Sequence, residues 1–286
     1  MRIVADSSCD LYSLDTKDFK SVPLSIYTDE RTFVDDLDLN ITEMLDYLAS
    51  YKGRSYTSCP SSDAWMKSFE GADEIFVLTV TSSLSGSYNS AVNAVNMWHE
   101  EHPETKISVI DSLSTGAEEI LVLQKLAGLI KEGLPFDEID HAIREYLKQT
   151  RLFFSFFSLH NLSQNGRVSK AAASILCVLN IAVCGTATAE GTIAVNNKAR
   201  GRHKVIRVMM EEMEKAGYHG GKAVITHVEN EELAELLKES VFKKYPFADI
   251  DIFPARGLCS YYMERHGIVI ACDTGSAQHL TDPVKK

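Results

Sequence analysis

The sequence predicts an α/β protein of two lobes. We expect a doubly wound, mostly parallel sheet in the N-terminal lobe, a mixed sheet in the C-terminal α/β lobe, and a ligand cleft between them. Apolar runs that look like strands alternate with amphipathic stretches that look like helices, which is typical of right-handed βαβ crossovers. Polar residues follow three of these runs, at Asp6, Thr81 and Asp111. Side chains in such positions meet at one edge when parallel strands lie side by side.

The N-terminal half shows the alternation in order. Short apolar runs predict strands at Arg2–Ala5, Val22–Thr28, Glu74–Val80, Lys106–Ile110 and Leu152–Phe157. Apolar residues at three- and four-residue spacing predict helices at Thr42–Leu48, around Trp65 and Phe69, after Gly86, from Gly116 to Lys131, and at Phe136–Leu147. We expect the strand Leu152–Phe157 to close the first lobe.

The C-terminal half has the pattern of a mixed sheet. Strands at Ile181–Cys184 and Thr192–Val195 flank the turn-like Glu190-Gly191, which predicts an antiparallel pair. Further strands are expected at Ala223–His227, Asp249–Phe253 and Gly267–Ala271, with helices at Arg202–Ala216 and Glu231–Lys244.

Length and charge limit the class of protein. The 286 residues suffice for two lobes of moderate size, which we expect at 1–160 and 161–286. The net charge of -11 argues against a broad nucleic-acid surface, so no nucleic-acid partner is expected. Only a four-residue apolar run precedes Asp6, which does not match a secretory signal, and we expect a cytoplasmic protein.

One uncharged stretch, Ala171 to Ala189, has a length close to that of a membrane span. It contains Asn180 and Gly185 and runs directly into the Glu190-Gly191 turn. We therefore interpret it as a buried helix followed by a strand, and expect no stable membrane insertion.

Metal chemistry is not expected. The 6 cysteines have no CxxC or Cys/His ligand spacing, which is typical of reduced thiols in the cytoplasm. The acidic stretch with Asp35, Asp36 and Asp38 lacks the later ligands of a calcium loop, so we interpret it as a solvated loop and helix cap.

The stretch Glu74–Val95 is the strongest local signal for a binding site. A buried strand leads into a loop in which Ser82, Ser83, Ser85 and Ser87 surround Gly86, and a helix follows. Amide hydrogens and the positive end of the helix dipole favour an anion at such a helix start. The alternative is an ordinary βα loop with a serine cap.

Several short motifs extend this signal over nearly the whole chain. They are Asp6-Ser7-Ser8-Cys9-Asp10-Leu11, Thr57-Ser58-Cys59-Pro60-Ser61, Ser82-Ser83-Leu84-Ser85-Gly86-Ser87-Tyr88, Asp111-Ser112 and Asn165-Gly166-Arg167. In these motifs and their order the chain resembles the DegV family. The resemblance implies a two-lobed α/β protein that holds one long-chain fatty acid between the lobes, without cofactor or catalysis. It also implies that a separate fatty acid kinase receives the bound acid to make acyl phosphate for phospholipid synthesis.

The same resemblance implies which residues bind. The fatty-acid carboxylate is expected on the hydroxyls of Thr57 and Ser85, with Ser58, Ser83 and the amide of Gly86 nearby. Donors that converge on a buried carboxylate remove most of the free-energy cost of burying it.

Two arginines match basic positions that the family places at the pocket mouth, where they are thought to assist the kinase. These are Arg167 and Arg200. The alternative is that both are surface arginines on polar loops.

The chain departs from the family pattern near its end, so it resembles a divergent member. The family usually has a His-Thr-Gly-Pro-Gly run whose histidine contacts the carboxylate, whereas this chain has Ser260-Tyr261-Tyr262-Met263-Glu264. Ser260 or Tyr261 is expected as the substitute donor, and Glu264 would repel a carboxylate if it pointed inward. Further departures are Cys59 for a common glutamine, Asn165 for the first glycine of Gly-Gly-Arg, and Ala182-Val183 for Lys-Pro.

Two other functions stay open from the residues alone. An acyl hydrolase would use Cys59 or Ser85 as nucleophile and His227 or His266 as base, although no GxSxG motif is present. A binder of a small polar or phosphorylated ligand would use the same helix start after Gly86, although phosphate-loop and dinucleotide motifs are absent.

Overall fold

The computed structural model describes residues 1–169 and 181–275. Its first sheet has four parallel strands in the order β2-β1-β6-β7. These strands are β1 (Arg2–Asp6), β2 (Phe19–Val22), β6 (Glu74–Thr79) and β7 (Lys106–Asp111). The predicted parallel sheet of the N-terminal part is confirmed.

A small antiparallel sheet lies beside it in the order β4-β3-β5. Its strands are β3 (Ser25–Tyr27), β4 (Thr32–Val34) and β5 (Tyr56–Ser58). The single strand expected at Val22–Thr28 is wrong, because β2 ends at Val22 and β3 begins at Ser25. Pro23 lies between them, and proline cannot donate a ladder hydrogen bond.

Helices cover both faces of the parallel sheet, as expected for a doubly wound fold. The helices are α1 (Ile41–Ser50), α2 (Ser62–Phe69), α3 (Ser87–Glu101), α4 (Ala117–Lys131) and α5 (Phe136–Leu147). Side chains of α2 and α3, including Trp65 and Ala91, pack on one face with Val77. Side chains of α4 and α5 pack on the other face.

The C-terminal part forms a mixed sheet in the order β10-β9-β8-β13-β11-β12. Its strands are β8 (Thr150–Phe156), β9 (Ile181–Ala187), β10 (Ile193–Arg200), β11 (Lys222–His227), β12 (Asp249–Pro254) and β13 (Ile268–Asp273). Its helices are α6 (His160–Gln164), α7 (Arg202–Lys215), α8 (Glu231–Lys244) and α9 (Gly257–Met263). The predicted antiparallel pair β9–β10 is confirmed.

Strand β8 belongs to this second sheet, so the expectation that it closes the first lobe is wrong. It pairs with β13 on one side and β9 on the other. The chain therefore passes from the first sheet to the second before residue 160. The boundary between lobes 1–160 and 161–286 stays a prediction. The helix expected at the start of the stretch Ala171–Ala189 lies outside the described residues. The end of the same stretch forms β9.

One apolar core joins the two sheets. It runs from Ile3 and Phe76 in the first sheet, through buried side chains of α4 such as Leu121, to Leu152 and Val269 in the second. Because α4 packs between the sheets, the loops at the carboxyl ends of β6 and β7 face the inner surface of the second sheet. The candidate site lies in this position.

Candidate ligand-binding site

A cavity lies between the two sheets. The loops after β6 and β7 form one side, and β8 and β13 form the other. The surface of the wall is largely apolar, and its apolar side chains are Leu24, Val80, Leu84, Leu152, Phe154, Phe156, Leu162, Ala187, Ile193, Leu258, Met263 and Val269. Such walls favour a ligand that is largely apolar.

A group of polar side chains lies in one part of this wall. Thr57, at the centre of β5, places its Oγ1 2.7 Å from the hydroxyl of Tyr262 on α9. Ser85 precedes α3, and its Oγ accepts a hydrogen bond from the amide of Ser87 at 3.2 Å. The guanidinium of Arg167 donates to the carbonyl of Leu84 at 3.1 Å, which places it next to Ser85. Thr57, Ser85, Arg167 and Tyr262 all line the cavity.

The polar group is suited to an anion. Burial raises the pKa of Tyr262, while its hydrogen bond to Thr57 and the charge of Arg167 oppose the rise. The hydroxyl therefore stays protonated and can donate. The N-cap of α3 is Gly86, which has no side chain to bond the first amide hydrogens of the helix. Hydroxyls and a cation thus line the same part of the cavity, and the start of α3 follows directly after Ser85.

Asp6 holds the loops that carry this group. Its carboxylate accepts hydrogen bonds from the Val80 amide at 3.1 Å, the Ser87 hydroxyl at 2.5 Å and the Ser8 amide at 3.2 Å. Burial raises the pKa of Asp6, and the hydrogen bonds from Ser8 and Ser87 oppose the rise. The polar strand ends do meet at one edge, as predicted, and Asp6 serves there to fix loop geometry.

The β9–β10 turn covers the loop after β6. Thr81 Oγ1 donates to the Gly191 carbonyl at 3.0 Å, and Ser83 Oγ donates to the Glu190 carbonyl at 2.5 Å. Gly191 has a φ of 75°. A Cβ at this position would lie 2.1 Å from Thr81 Oγ1, so this close approach requires glycine.

The structure separates the remaining predicted carboxylate residues from the cavity wall. The hydroxyl of Ser58 donates to Tyr27 at 3.4 Å, and that of Ser83 is bonded to the β9–β10 turn. Gly86 lies behind Ser85, against the sulfur of Cys59. Arg200 is exposed at the end of β10 and does not line the cavity.

Two of the three consecutive hydroxyl residues on α9 point elsewhere. Ser260 Oγ donates to the Ala255 carbonyl at 3.1 Å, and the Tyr261 hydroxyl lies 2.7 Å from Ser55 Oγ. Tyr262 is the one that reaches Thr57, and sequence reasoning missed it. Glu264 accepts a hydrogen bond from Ser158 Oγ at 2.7 Å and does not line the cavity.

A buried acidic cluster holds the start of α9 and was also missed. Asp10 Oδ1 accepts a hydrogen bond from the Arg256 amide at 2.7 Å, and the two oxygens of Asp35 accept from the amides of Gly257 and Leu258 at 2.9 Å. Asp35 is fully buried, so its interpretation as part of a solvated loop is wrong. Burial raises the pKa of Asp10 to about 8. The one sequence signal that could have indicated this cluster is Asp10, which belongs to the motif Asp6-Ser7-Ser8-Cys9-Asp10-Leu11.

The geometry does not favour a nucleophile with a base. Burial raises the pKa of the Cys59 thiol, which is opposite to the shift that activates a thiolate. His227 Nδ1 accepts a hydrogen bond from the Asn230 amide at 3.2 Å. His266 bonds through its backbone to Asn230 and Val228. Neither histidine lines the cavity that Ser85 lines.

Within residues 1–169 and 181–275, no His, Cys, Asp and Glu side chains cluster in a way that could hold a metal ion. Over the same residues, every helix is too short or too polar to cross a membrane.

The fold and site define an α/β protein that encloses an apolar pocket, with one polar group in its wall, between a parallel and a mixed sheet. The DegV family model, described as "Uncharacterised protein, DegV family", matches residues 1–271. A DegV domain-containing protein of Streptococcus pneumoniae is 42% identical over 273 residues, which cover 94% of this chain and 97% of that protein. The chain belongs to the DegV family.

Two solved structures show the same fold. A DegV family protein from Eubacterium eligens, loaded with heptadecanoic acid, is 50% identical and covers 96% of this chain and 99% of its own, with a TM-score of 0.94. The Fatty Acid Kinase (Fak) B3 protein of S. pneumoniae, loaded with linoleic acid, is 42% identical with the same coverage and the same TM-score.

Proposed function

We propose that the protein binds one long-chain fatty acid in the cavity between its sheets, with the carboxylate held by Thr57 and Ser85. The observation that carries this proposal is the combination of an apolar wall with one polar group, in which Thr57 and Tyr262 lie 2.7 Å apart. The fatty acids in the relatives from E. eligens and S. pneumoniae support it.

The physical terms favour such a ligand. Each methylene buried in the cavity contributes roughly 0.8 kcal/mol, so the tail supplies most of the affinity. The carboxylate is costly to bury unless donors converge on it, and here the donors are Thr57, Ser85, Tyr262 and Arg167. Ser58 and Ser83 support the loops around these donors, and the Gly86 amide lies at the adjacent helix start.

The protein acts as a carrier and has no catalytic residue or cofactor in this proposal. The bound acid is presented to a fatty acid kinase, with Arg167 at the mouth of the cavity and Arg200 on the exposed surface as contacts. The relative named Fatty Acid Kinase B3 supports this partner. Such a role suits a cytoplasmic protein with lobes 1–160 and 161–286 and no inserted membrane segment.

Native mass spectrometry of the purified protein, followed by lipid extraction, tests the proposal. One fatty acid per chain is the expected result. A protein that is purified empty and also takes up no added fatty acid would overturn it. A bound phosphorylated or sugar compound would instead support the binder of polar ligands, which the apolar wall does not favour.

A further inference from the structure

A second polar site lies in the cavity wall, at the start of α4. Thr115, Gly116, Thr226 and Cys259 line the cavity there among apolar side chains. Two buried oxygen atoms at this place have no hydrogen-bond partner: Thr226 Oγ1 and Asp10 Oδ2. The side chains of Thr226 and Asp10 are 0% and 4% exposed. Unpartnered polar atoms at such depth are rare and costly, because they have lost water without a replacement.

Gly116 lies close to both oxygens. It has a φ of 54°. A Cβ at this position would lie 3.0 Å from Asp10 Oδ2, 3.6 Å from Cys259 Sγ and 3.7 Å from Thr226 Oγ1. Because Gly116 has no side chain, residue 116 does not cover these groups, and Gly116, Thr226 and Cys259 line the cavity.

The neighbouring groups are already committed elsewhere. The Cys259 thiol donates to the Ser8 carbonyl at 3.2 Å and lies 3.6 Å from Thr115 Oγ1. Asp10 Oδ1 accepts from the Arg256 amide, which leaves Oδ2 as the free oxygen. Burial raises the pKa of Asp10 to about 8, so near neutral pH the carboxyl is mostly protonated and can donate from Oδ2.

We infer that Thr226 and Asp10, on either side of Gly116, form a subsite for a hydroxyl group carried on the acyl chain of a fatty acid. A chain hydroxyl can accept one hydrogen bond and donate another, which satisfies both oxygens at once. A methylene in the same position leaves both unpaired. This inference rests on the proposed function, and it extends the ligand class to hydroxy fatty acids.

Competition binding with positional isomers tests the subsite. A fluorescent fatty acid bound to the protein is displaced by stearic acid and by monohydroxystearic acids with the hydroxyl at successive carbons. All isomers share the same cost of desolvating the hydroxyl, so a difference among them reports its position. We expect one position, or two adjacent ones, to bind at least about 10-fold more tightly than the other isomers.

Variants identify the residue responsible. Thr226→Val keeps the shape but removes the hydroxyl, and should remove the preference among isomers. Thr226→Ser keeps the hydroxyl and should retain the preference. Thr79→Val is a matched control, because Thr79 Oγ1 is also buried and unpartnered but does not line the cavity.

The outcomes separate a failure of the subsite from a failure of the proposed function. Isomers of equal affinity would overturn the subsite, as would a preference that survives in Thr226→Val, because the two oxygens would then be satisfied by water or not at all. Normal binding of stearic acid in that case would leave the proposed function standing. A protein that binds neither stearic acid nor any isomer would overturn the proposed function and the subsite together.

Discussion

The hydroxyl oxygens of Thr57 and Tyr262 lie 2.7 Å apart in the cavity wall. This contact joins β5 of the small antiparallel sheet to α9, which lies just before the last strand of the second sheet. Both residues line the cavity, so both hydroxyls can turn toward a ligand oxygen that lies beside them. The contact thus marks the position we propose for the carboxylate.

Replacing Tyr262 tests the part of this contact that comes from α9. Tyr262→Phe keeps the ring but removes the donor, and we expect fatty-acid affinity to fall about 10-fold, as for one charge-assisted hydrogen bond. Isothermal titration calorimetry would measure it. Tyr261→Phe is the control, because that hydroxyl bonds Ser55 and Asn165 and does not line the cavity. Equal losses in both variants would contradict a direct role for Tyr262.

Two serines of the same loop provide a matched pair. Ser85 lines the cavity, whereas the hydroxyl of Ser83 is bonded to the Glu190 carbonyl. Ser85→Ala should weaken fatty-acid binding by roughly 1–3 kcal/mol, because the buried carboxylate loses a donor. Ser83→Ala should leave the dissociation constant within about twofold. Unchanged affinity in Ser85→Ala would remove Ser85 from the site.

The close contact at Gly191 predicts that the β9–β10 turn, which covers the loop after β6, shapes the cavity. Gly191→Ala forces a methyl group against Thr81 Oγ1 at 2.1 Å, so stability and fatty-acid affinity should both fall. Gly71→Ala is the control, since Gly71 also has a positive φ but has no atoms within 4 Å of its Cβ position. It should cost about 1–2 kcal/mol of unfolding free energy and leave affinity unchanged. Similar affinities in the two variants would show that the β9–β10 turn does not shape the cavity.

The raised pKa of Asp10 predicts how the free energy of unfolding depends on pH. Burial raises its pKa to about 8 in the folded protein, against about 3.9 in the unfolded chain. The folded state therefore binds this proton more tightly. Its stabilising contribution is complete below about pH 4 and is lost as the pH rises to about 8. The charge of Asp35 adds to this rise in the pKa of Asp10, whereas the hydrogen bonds from Arg256 and Cys259 and the charge of Arg256 oppose it.

Urea unfolding at about pH 5 and about pH 7 measures this contribution. In Asp10→Asn the decline in unfolding free energy over this range should be smaller by about 1.4 kcal/mol per pH unit, the value for one proton. Asp38→Asn, at an exposed acid, is the control. An identical slope in the wild type and Asp10→Asn would contradict the buried, protonated carboxyl.

The strand ends show what the sequence predicts well. Asp6, Thr81 and Asp111 end apolar runs, and parallel pairing is enough to bring them to one edge. The pairing of β8 was missed because Leu152–Phe157 is strongly apolar. Its composition does not indicate that it pairs with β13, more than a hundred residues later.

The donor on α9 shows where sequence reasoning fails. Ser260, Tyr261 and Tyr262 are consecutive, and each step along a helix turns the side chain by about 100°. Only one of the three can face the cavity. Which one does depends on how the Asp10 and Asp35 carboxylates hold the start of α9, and this is a long-range contact without a local signal.

A crystal structure of the protein with stearic acid is the most direct test of the account. We predict one acid per chain in the cavity between the sheets, with its carboxylate within hydrogen-bond distance of Thr57 Oγ1 and Ser85 Oγ and its tail along β8 and β13. A carboxylate bound away from Thr57 and Ser85, or a cavity that remains empty at saturating acid, would contradict it.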